Sequence, residues 1–380
     1  MSFTLTRLLY SHDEVKYSLI NSLLQKKNIT ECYFWCTELY YSDSKDELHI
    51  FDFIWKIYFD FYAIYNPSLE KYIQKKEKIW RDKKELTTLI YIIYNLYHCN
   101  ISSEVFILRQ NAYIEKDNFI IYNVKGRKWN WLNDFPAVYR NFVIAIHKKH
   151  IINASTILYK LVQSREVKEI YNILIRYYQK HIPLQSSSTI DIKWKRHHWP
   201  DNFHGLLAML VHLETPIEKI THPLVFKQPS KTTIDMLIQH NKDIESRHKH
   251  SLSVYRILSD FRMFTINEMI GVFNLNRYSV PNFKNENRQY WEYYAYHSPL
   301  WRDRIKFFGG TFQKKDLVFI NKTYKEKDFY DNYGLELDEQ CEETQLRSLC
   351  DIPEVTIQEW HEKIFMFPAL IKLDQIVMTY

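Results

Sequence analysis

Apolar positions recur at helical spacing over most of this chain. After Ser11, with Glu14 three positions later as a capping box, apolar residues at 15, 19, 20, 23 and 24 share one helical face. Thr30 is positioned to cap a second helix, whose apolar face is mainly aromatic between residues 33 and 40. The pattern therefore predicts two consecutive amphipathic helices.

A third helix is predicted over residues 44–65, where apolar residues dominate and Asn-Pro follows. Its apolar surface is broken by Asp52, Lys56 and Asp60, which form one stripe at spacing i, i+4, i+8. We expect this helix to be central and buried on most sides. We interpret the stripe as an internal ion pair and not as paired catalytic carboxylates.

Further helices are predicted in the same half, and short connections between them favour antiparallel neighbours. They cover residues 85–98, a stretch that begins at Ser103, and residues 134–149, 153–163 and 166–180. One interruption, residues 119–131, has β-branched and aromatic residues around Gly126 and predicts a hairpin or an extended loop. Since no fixed-period repeat is visible, the predicted array is irregular.

A composition shift at residues 183–191, which include a serine run, is typical of a linker. We therefore predict an irregular antiparallel helical array over residues 1–182, a linker and basic-aromatic segment over 183–200, and a second, mainly helical domain over 201–380. In that domain the predicted helices cover residues 202–212, 232–264 and 287–296, with capping boxes at Thr265 and Thr356. A small β-hairpin is predicted at residues 309–320.

Glycine is scarce, with 6 residues in 380, while 16% of the chain is aromatic. Ordinary usage is about 7% glycine, so the chain has little material for a phosphate cradle or a doubly wound sheet. The nucleotide-binding glycine loops, the Gly-x-Ser-x-Gly elbow and the His-Glu-x-x-His helix are all missing from the sequence. These observations favour a mostly α fold and remove the common NTPase, dehydrogenase, serine-hydrolase and metalloprotease classes.

The net charge of +6 is mildly basic and compatible with an acidic partner. Five cysteines lack zinc-finger spacing and an even count, which favours the reducing cytosol. The sequence has neither an apolar signal core nor an uncharged run of membrane-spanning length. We therefore expect no membrane partner.

Two basic-aromatic runs supply the candidate functional residues. Sites for single-stranded nucleic acid need cations that contact the phosphates and flat aromatic rings that stack on the bases. The alternative is that the tryptophans anchor loops to the core while the cations are only solvated. The candidate nucleic-acid-binding residues are Lys125, Arg127, Lys128, Trp129, Trp131, Lys193, Trp194, Lys195, Arg196 and Trp199.

Two other clusters have plainer explanations. Histidines at 197, 198, 204, 212 and 222 lie close in sequence, but their spacing fits no zinc finger. The acidic residues between 336 and 343 lack the alternation and the mid-loop glycine of an EF-hand and are typical of a solvated helix start. We predict no catalytic residue, no metal ligand and no cofactor.

Aromatic-rich blocks give the chain a resemblance to a known family. The blocks are ECYFWCTELYYS at 31–42, YRILSDFRMFTI at 255–266 and WEYYAYHSPLW at 291–301, together with LELDEQ at 335–340. With them the chain resembles a protein family of giant, mimivirus-like nucleocytoplasmic large DNA viruses. Irregular antiparallel helices around aromatic cores are also similar to HEAT-type arrays, such as the middle domain of the eukaryotic translation-initiation scaffold.

The resemblance implies a setting in the host cytoplasm, in viral factories or virions, and transfers no functional residue. We expect a non-enzymatic scaffold in a viral gene-expression complex of translation initiation or transcription. Its expected partners are other viral or host proteins of that complex and RNA, because stacked helices present long surfaces. Two alternatives stay open: a minor or internal capsid protein, which would appear in purified particles, and an enzyme with dispersed residues.

Overall fold

The computed structural model describes residues 3–43, 49–122, 127–164, 166–181, 202–220, 226–246, 261–320, 325–333 and 351–365. Within these residues the chain is mostly helical, and its one sheet is a two-stranded antiparallel hairpin towards the C-terminal end. The fold class predicted from helical periodicity and scarce glycine is confirmed.

Short turns join most of the helices in the first half of the chain. In the described residues these helices are α1 (His12–Gln25), α2 (Ile29–Ser42), α3 (His49–Phe61), α4 (Leu69–Lys83), α5 (Leu86–His98), α6 (Glu104–Ile114), α7 (Ala137–His147), α8 (Ile151–Ser164) and α9 (Val167–His181). A 3-10 helix, Arg127–Leu132, precedes α7. Sequence neighbours such as α1 and α2, or α7 and α8, pack against each other, as short connections require.

The second half combines helices with the hairpin. Its described α-helices and strands are α10 (Asn202–Glu214), α11 (Lys231–Ser246), α12 (Phe283–Gln289), α13 (Trp291–Ala295), α14 (Pro299–Phe307), β1 (Gly310–Gln313), β2 (Asp316–Phe319), α15 (Lys325–Tyr333) and α16 (Ile357–Ile364). Short 3-10 helices cover Glu268–Val272 and Asn276–Ser279. Strands β1 and β2 pair with Gly310 opposite Phe319, which confirms the predicted hairpin.

Two of the predicted capping boxes form. The backbone N–H of Ser11 donates to the Glu14 carboxylate at 3.3 Å at the start of α1. The backbone N–H of Thr356 donates to Glu359 at 2.8 Å, and the Glu359 N–H donates back to the threonine hydroxyl at the start of α16. Both boxes satisfy donors that a helix N-terminus otherwise leaves free.

Two predicted caps are wrong. Helix α2 is capped by Asn28, whose side chain accepts the backbone N–H of Thr30 at 2.9 Å. The predicted box at Thr265 is replaced by Asn267, which caps a 3-10 helix by accepting from Met269. In both cases an asparagine two residues before the donor forms the cap, because its short amide reaches that N–H.

Other predicted boundaries also move. The third helix ends at Phe61, before the predicted residue 65, and its predicted start at residue 44 lies outside the described residues. The helix predicted over 287–296 is two helices separated at Tyr290. The predicted helix 232–264 is helical as α11 up to Ser246 and not over 262–264, and residues 247–260 lie outside the description. In the predicted hairpin or loop at 119–131 the described part contains no strand.

Aromatic rings connect the two halves of the chain in one hydrophobic core. Trp360 of α16 is completely buried, its ring lies 5.5 Å from that of Phe106 in α6, and its Nε1–H donates to Asn21 of α1 at 2.9 Å. Helix α10 packs against α3, α6 and α8. Described residues of both predicted domains therefore share a core, whereas the predicted linker at 183–200 lies outside the description.

Buried arginines hold the segment before α1. Arg7 forms an ion pair with Glu38 of α2 at 2.8 Å, and Arg262 donates to the backbone carbonyl of Leu8 at 2.8 Å. Arg277 forms a buried ion pair with Glu14. Since a buried charge without a partner is costly, these contacts fix the segment before α1 against α2 and Arg262, and they fix α1 against Arg277.

Gly271 marks a close approach of backbone to backbone. A Cβ at this position would lie 1.9 Å from the carbonyl oxygen of Pro353. The absence of a side chain therefore lets the segment before α16 lie directly on the Glu268–Val272 turn.

Candidate nucleic-acid interface

The structure describes four of the ten sequence-predicted site residues. Trp129 and Trp131 lie in the 3-10 helix Arg127–Leu132, and the backbones of Arg127 and Lys128 belong to the same turn. The remaining six lie outside the described residues: Lys125, Lys193, Trp194, Lys195, Arg196 and Trp199. Binding of nucleic acid by either run therefore stays a prediction, and only the first run has a structural setting.

Trp129 is half-buried against the C-terminal ends of α7 and α9. Its ring centroid lies 5.0 Å from that of His147 in α7 and 5.2 Å from that of His181 in α9. The His147 ring in turn lies 3.3 Å, through Nδ1, from the hydroxyl of Tyr177. The 3-10 turn is thus attached to both helices by ring contacts.

Trp131 is also half-buried and has charged neighbours. Its indole Nε1–H donates to Nε2 of His181 at 3.2 Å. Because this nitrogen accepts, the neutral imidazole carries its proton on Nδ1. The guanidinium of Arg176 and the ammonium of Lys180 each lie 5.2 Å from the centroid of the Trp131 ring system, a cation–π distance.

The turn between α7 and α8, which follows His147, carries a further exposed cation. Lys148 is exposed, and its ammonium lies 4.7 Å from the ring of Tyr122. The Tyr122 hydroxyl lies 2.8 Å from Nδ1 of His150. We call the surface formed by Trp129, Trp131, Lys148, Arg176 and Lys180 the Trp131 face.

Two physical readings apply to the Trp131 face. Arg176 and Lys180 belong to the last turns of α9, where the helix dipole favours cations, and the tryptophans anchor their turn to the core. The same arrangement leaves exposed cations over a tryptophan ring, and cations beside aromatic rings are the groups that contact phosphates and bases. The anchoring contacts are present in the structure, and they leave the lysine and arginine head groups accessible.

A second basic surface was missed in the sequence. Lys71, Lys75 and Lys78 of α4 are exposed at spacing i, i+4, i+7 and so share one helix face. That spacing was a readable signal. No tryptophan ring is part of this face, so it serves as a comparison surface for the Trp131 face.

A polar cleft was also missed, because its walls come from distant segments. It has a volume of about 240 Å³. Burial raises the pKa of the Glu104 carboxyl, and the ammonium of Lys219 offsets part of that rise. Glu214 accepts a hydrogen bond of 2.5 Å from the hydroxyl of Tyr178. The lining residues are Tyr65, Glu104, Ile146, Lys149, Ile151, Val211, Glu214, Thr215, Pro216 and Lys219.

The candidate metal residues do not assemble in the described part of the chain. His212 lies 2.8 Å, through Nδ1, from the backbone carbonyl of Ile64, and His204 is buried 3.8 Å from the carboxylate of Asp60. Among the described residues no three His, Cys, Asp or Glu side chains are placed to hold a metal ion. Histidines 197, 198 and 222 and the acidic residues between 336 and 343 lie outside the description.

One carboxylate of the charged stripe on α3, that of Asp60, has its partner on another helix. Asp60 accepts two hydrogen bonds, of 3.0 and 2.8 Å, from the guanidinium of Arg109 in α6. Asp52 is exposed. Asp60 is thus part of a buried structural ion pair between helices.

The described cysteines are unsuited to nucleophilic chemistry. Burial raises the pKa of Cys32 to about 12 and that of Cys99 to about 11, and it raises the pKa of Cys36 further. A thiol with so high a pKa carries almost no thiolate at neutral pH.

No protein-family model, curated protein or solved structure matches the chain at a significant level. Across the described residues, the structure contains no helix with the length and apolar character that crossing a membrane requires.

Proposed function

We propose that this chain is a non-enzymatic helical scaffold that binds RNA through the Trp131 face and holds protein partners on its other helical surfaces. The viral gene-expression setting in the host cytoplasm is part of the proposal and rests on the family resemblance. The observation that supports RNA binding is the pair of exposed cations, Arg176 and Lys180, over the half-buried ring of Trp131, with a further exposed cation, Lys148, over Tyr122.

The energetic argument combines two contributions. Each cation that neutralises a phosphate releases counterions, which gives affinity without sequence preference and makes it depend on salt. A ring face that stacks with a base adds about 1–3 kcal/mol. Because Arg176 and Lys180 lie over Trp131, a strand that follows these cations is brought to the tryptophan.

Charge reversal tests the proposal. The double variant Arg176→Glu with Lys180→Glu is compared with Lys71→Glu with Lys75→Glu on α4, which makes the same charge change away from the tryptophans. We expect the first variant to bind a fluorescein-labelled single-stranded RNA more weakly, with the salt slope reduced by about 1.4. Anisotropy titrations at several salt concentrations measure both quantities.

Equal losses of RNA affinity in the two double variants would show that net charge alone governs binding. No loss in either would remove the Trp131 face as an RNA site. A third variant, with Lys193, Lys195 and Arg196 replaced by Glu, tests the second basic run. Unchanged RNA binding after that replacement would discard the second run.

The polar cleft is the observation that favours a second candidate, an enzyme whose residues come from distant segments. Glu104, Lys149, Glu214 and Lys219 belong to different elements and line one cavity. An enzyme must first bind a small molecule in this cleft. Mass spectrometry of that molecule after incubation with the protein would then distinguish a catalyst, which changes it chemically, from a binding protein, which does not.

A further inference from the structure

The cleft is formed where four segments meet, and its position is fixed by the core. Glu104 is the first residue of α6, Glu214 is the last residue of α10, and Lys149 lies in the α7–α8 turn. Lys219 ends the short 3-10 turn that follows α10. Helix α10 packs against both α6 and α8, so packed helices hold the two glutamates, and the two lysines lie in turns that adjoin α8 and α10.

The charges of the cleft do not satisfy one another. In the described part of the chain Glu104, Lys149, Glu214 and Lys219 form no ion pair among themselves within 4.0 Å, and the Glu104 carboxylate accepts no hydrogen bond. The carboxylates of Glu104 and Glu214 are half-buried, whereas both lysines are exposed. The Lys219 ammonium offsets only part of the cost of burying Glu104, and Glu214 accepts one hydrogen bond, from Tyr178. A cationic group in direct contact with both half-buried carboxylates would therefore stabilise them.

Apart from Thr215, the remaining lining of the cleft is mainly apolar. Ile146 and Val211 are buried, and Ile151 and the ring of Tyr65 are half-buried. The volume of about 240 Å³ is below the roughly 300–1,000 Å³ typical of drug-sized ligands. The cleft is therefore of a size for a small metabolite with a short hydrocarbon part.

We propose that this cleft binds a small zwitterion with a protonated amine and a carboxylate joined by a short aliphatic chain, the chemistry of an ω-amino acid or of the side-chain amine and carboxylate of free lysine. Glu104 and Glu214 hold the amine, Lys149 and Lys219 hold the carboxylate at the mouth, and the aliphatic chain lies on Ile146, Ile151 and Val211.

Isothermal titration calorimetry tests this proposal with the full chain. The probes are 4-aminobutyrate, 6-aminohexanoate and L-lysine, with hexylamine and hexanoate as analogues that carry only one of the two charges. We expect at least one zwitterion to bind, and each single-charge analogue to bind at least about tenfold more weakly, because each loses a charge-assisted contact.

Variants locate the binding to the cleft. Glu104→Gln is expected to weaken binding of the zwitterion by about tenfold or more, and Lys219→Ala, an exposed change that does not disturb the core, to weaken it as well. Glu218→Gln, at an exposed neighbour that does not line the cleft, should bind normally. The proposal would be overturned if no zwitterion binds, or if Glu104→Gln and Lys219→Ala both bind the zwitterion as tightly as the wild type. Unchanged RNA affinity of these variants separates this site from the Trp131 face.

Discussion

Glu292 of α13 is a carboxyl group whose protonation the fold controls. Its side chain is 7% exposed, and burial raises its pKa from 4.5 to about 7, although a 3.0 Å hydrogen bond from the Tyr330 hydroxyl favours the charged form. The folded state therefore holds a proton that the unfolded state has already released between these two pH values. Stability from this group is present below pH 4.5 and is lost as the pH rises through about 7.

We predict that Glu292→Gln removes this pH dependence. The wild-type free energy of unfolding should fall by up to about 3 kcal/mol more than that of the variant across that range. Urea denaturation at a series of pH values measures the difference. Glu326→Gln, at an exposed glutamate of α15, is the control and should follow the wild type. Parallel curves for wild type and Glu292→Gln would contradict the assigned cause.

Residue-level partners were the least predictable feature of the sequence. Asp60 was placed on a charged stripe with Lys56, whereas the structure pairs it with Arg109, 49 residues away. A periodic pattern records which face a side chain occupies, but it does not record which other helix covers that face. The two tryptophans of the Trp131 face were predictable because they belong to one local basic-aromatic run. Their partner His181 was not, because it lies 50 residues beyond Trp131 in the chain.

Helix starts show how far local signals reach at the scale of elements. The capping boxes at Ser11 and Thr356 are confirmed because the hydroxyl and the glutamate that form each box lie within four residues. At α2 the predicted cap is Thr30, whereas Asn28, two residues earlier, forms the cap in the structure. The break at Tyr290 is not signalled by proline or glycine, so it was not predictable from local composition.

The cap of α2 leads to a prediction. Asn28→Ala should lower the free energy of unfolding by about 1 kcal/mol, because the Thr30 N–H loses its acceptor. Thr30→Ala should change it by no more than a few tenths, since alanine favours the helix interior and the threonine side chain is exposed. Both positions are at the surface, so thermal and urea denaturation report the cap itself. A larger loss for Thr30→Ala would restore threonine as the cap.

Contacts between distant parts of the sequence define the molecule as a whole. Asn95 of α5 exchanges hydrogen bonds with the backbone of Lys227, 2.9 Å to its carbonyl and 3.2 Å from its N–H. Arg262 similarly donates to Leu8. Composition and periodicity predicted a mostly helical chain with one hairpin, but neither carries information about such pairings. The cleft was missed for the same reason, because each of its charged residues is unremarkable in its own segment.

Because Trp360 packs on helices from the first half of the chain, we predict that its loss destabilises the molecule as one unit. Trp360→Ala leaves a cavity beside Phe106 and removes the indole N–H that donates to Asn21. It should therefore lower the free energy of unfolding by about 3–5 kcal/mol. Differential scanning calorimetry should show one transition, with equal calorimetric and van't Hoff enthalpies, that moves to lower temperature without splitting. Phe307→Ala, at a ring that is 80% exposed, is the matched control and should leave the transition in place. Two transitions, of which Trp360→Ala moves only one, would instead mean that the predicted domains on either side of residues 183–200 unfold independently in spite of the core they share.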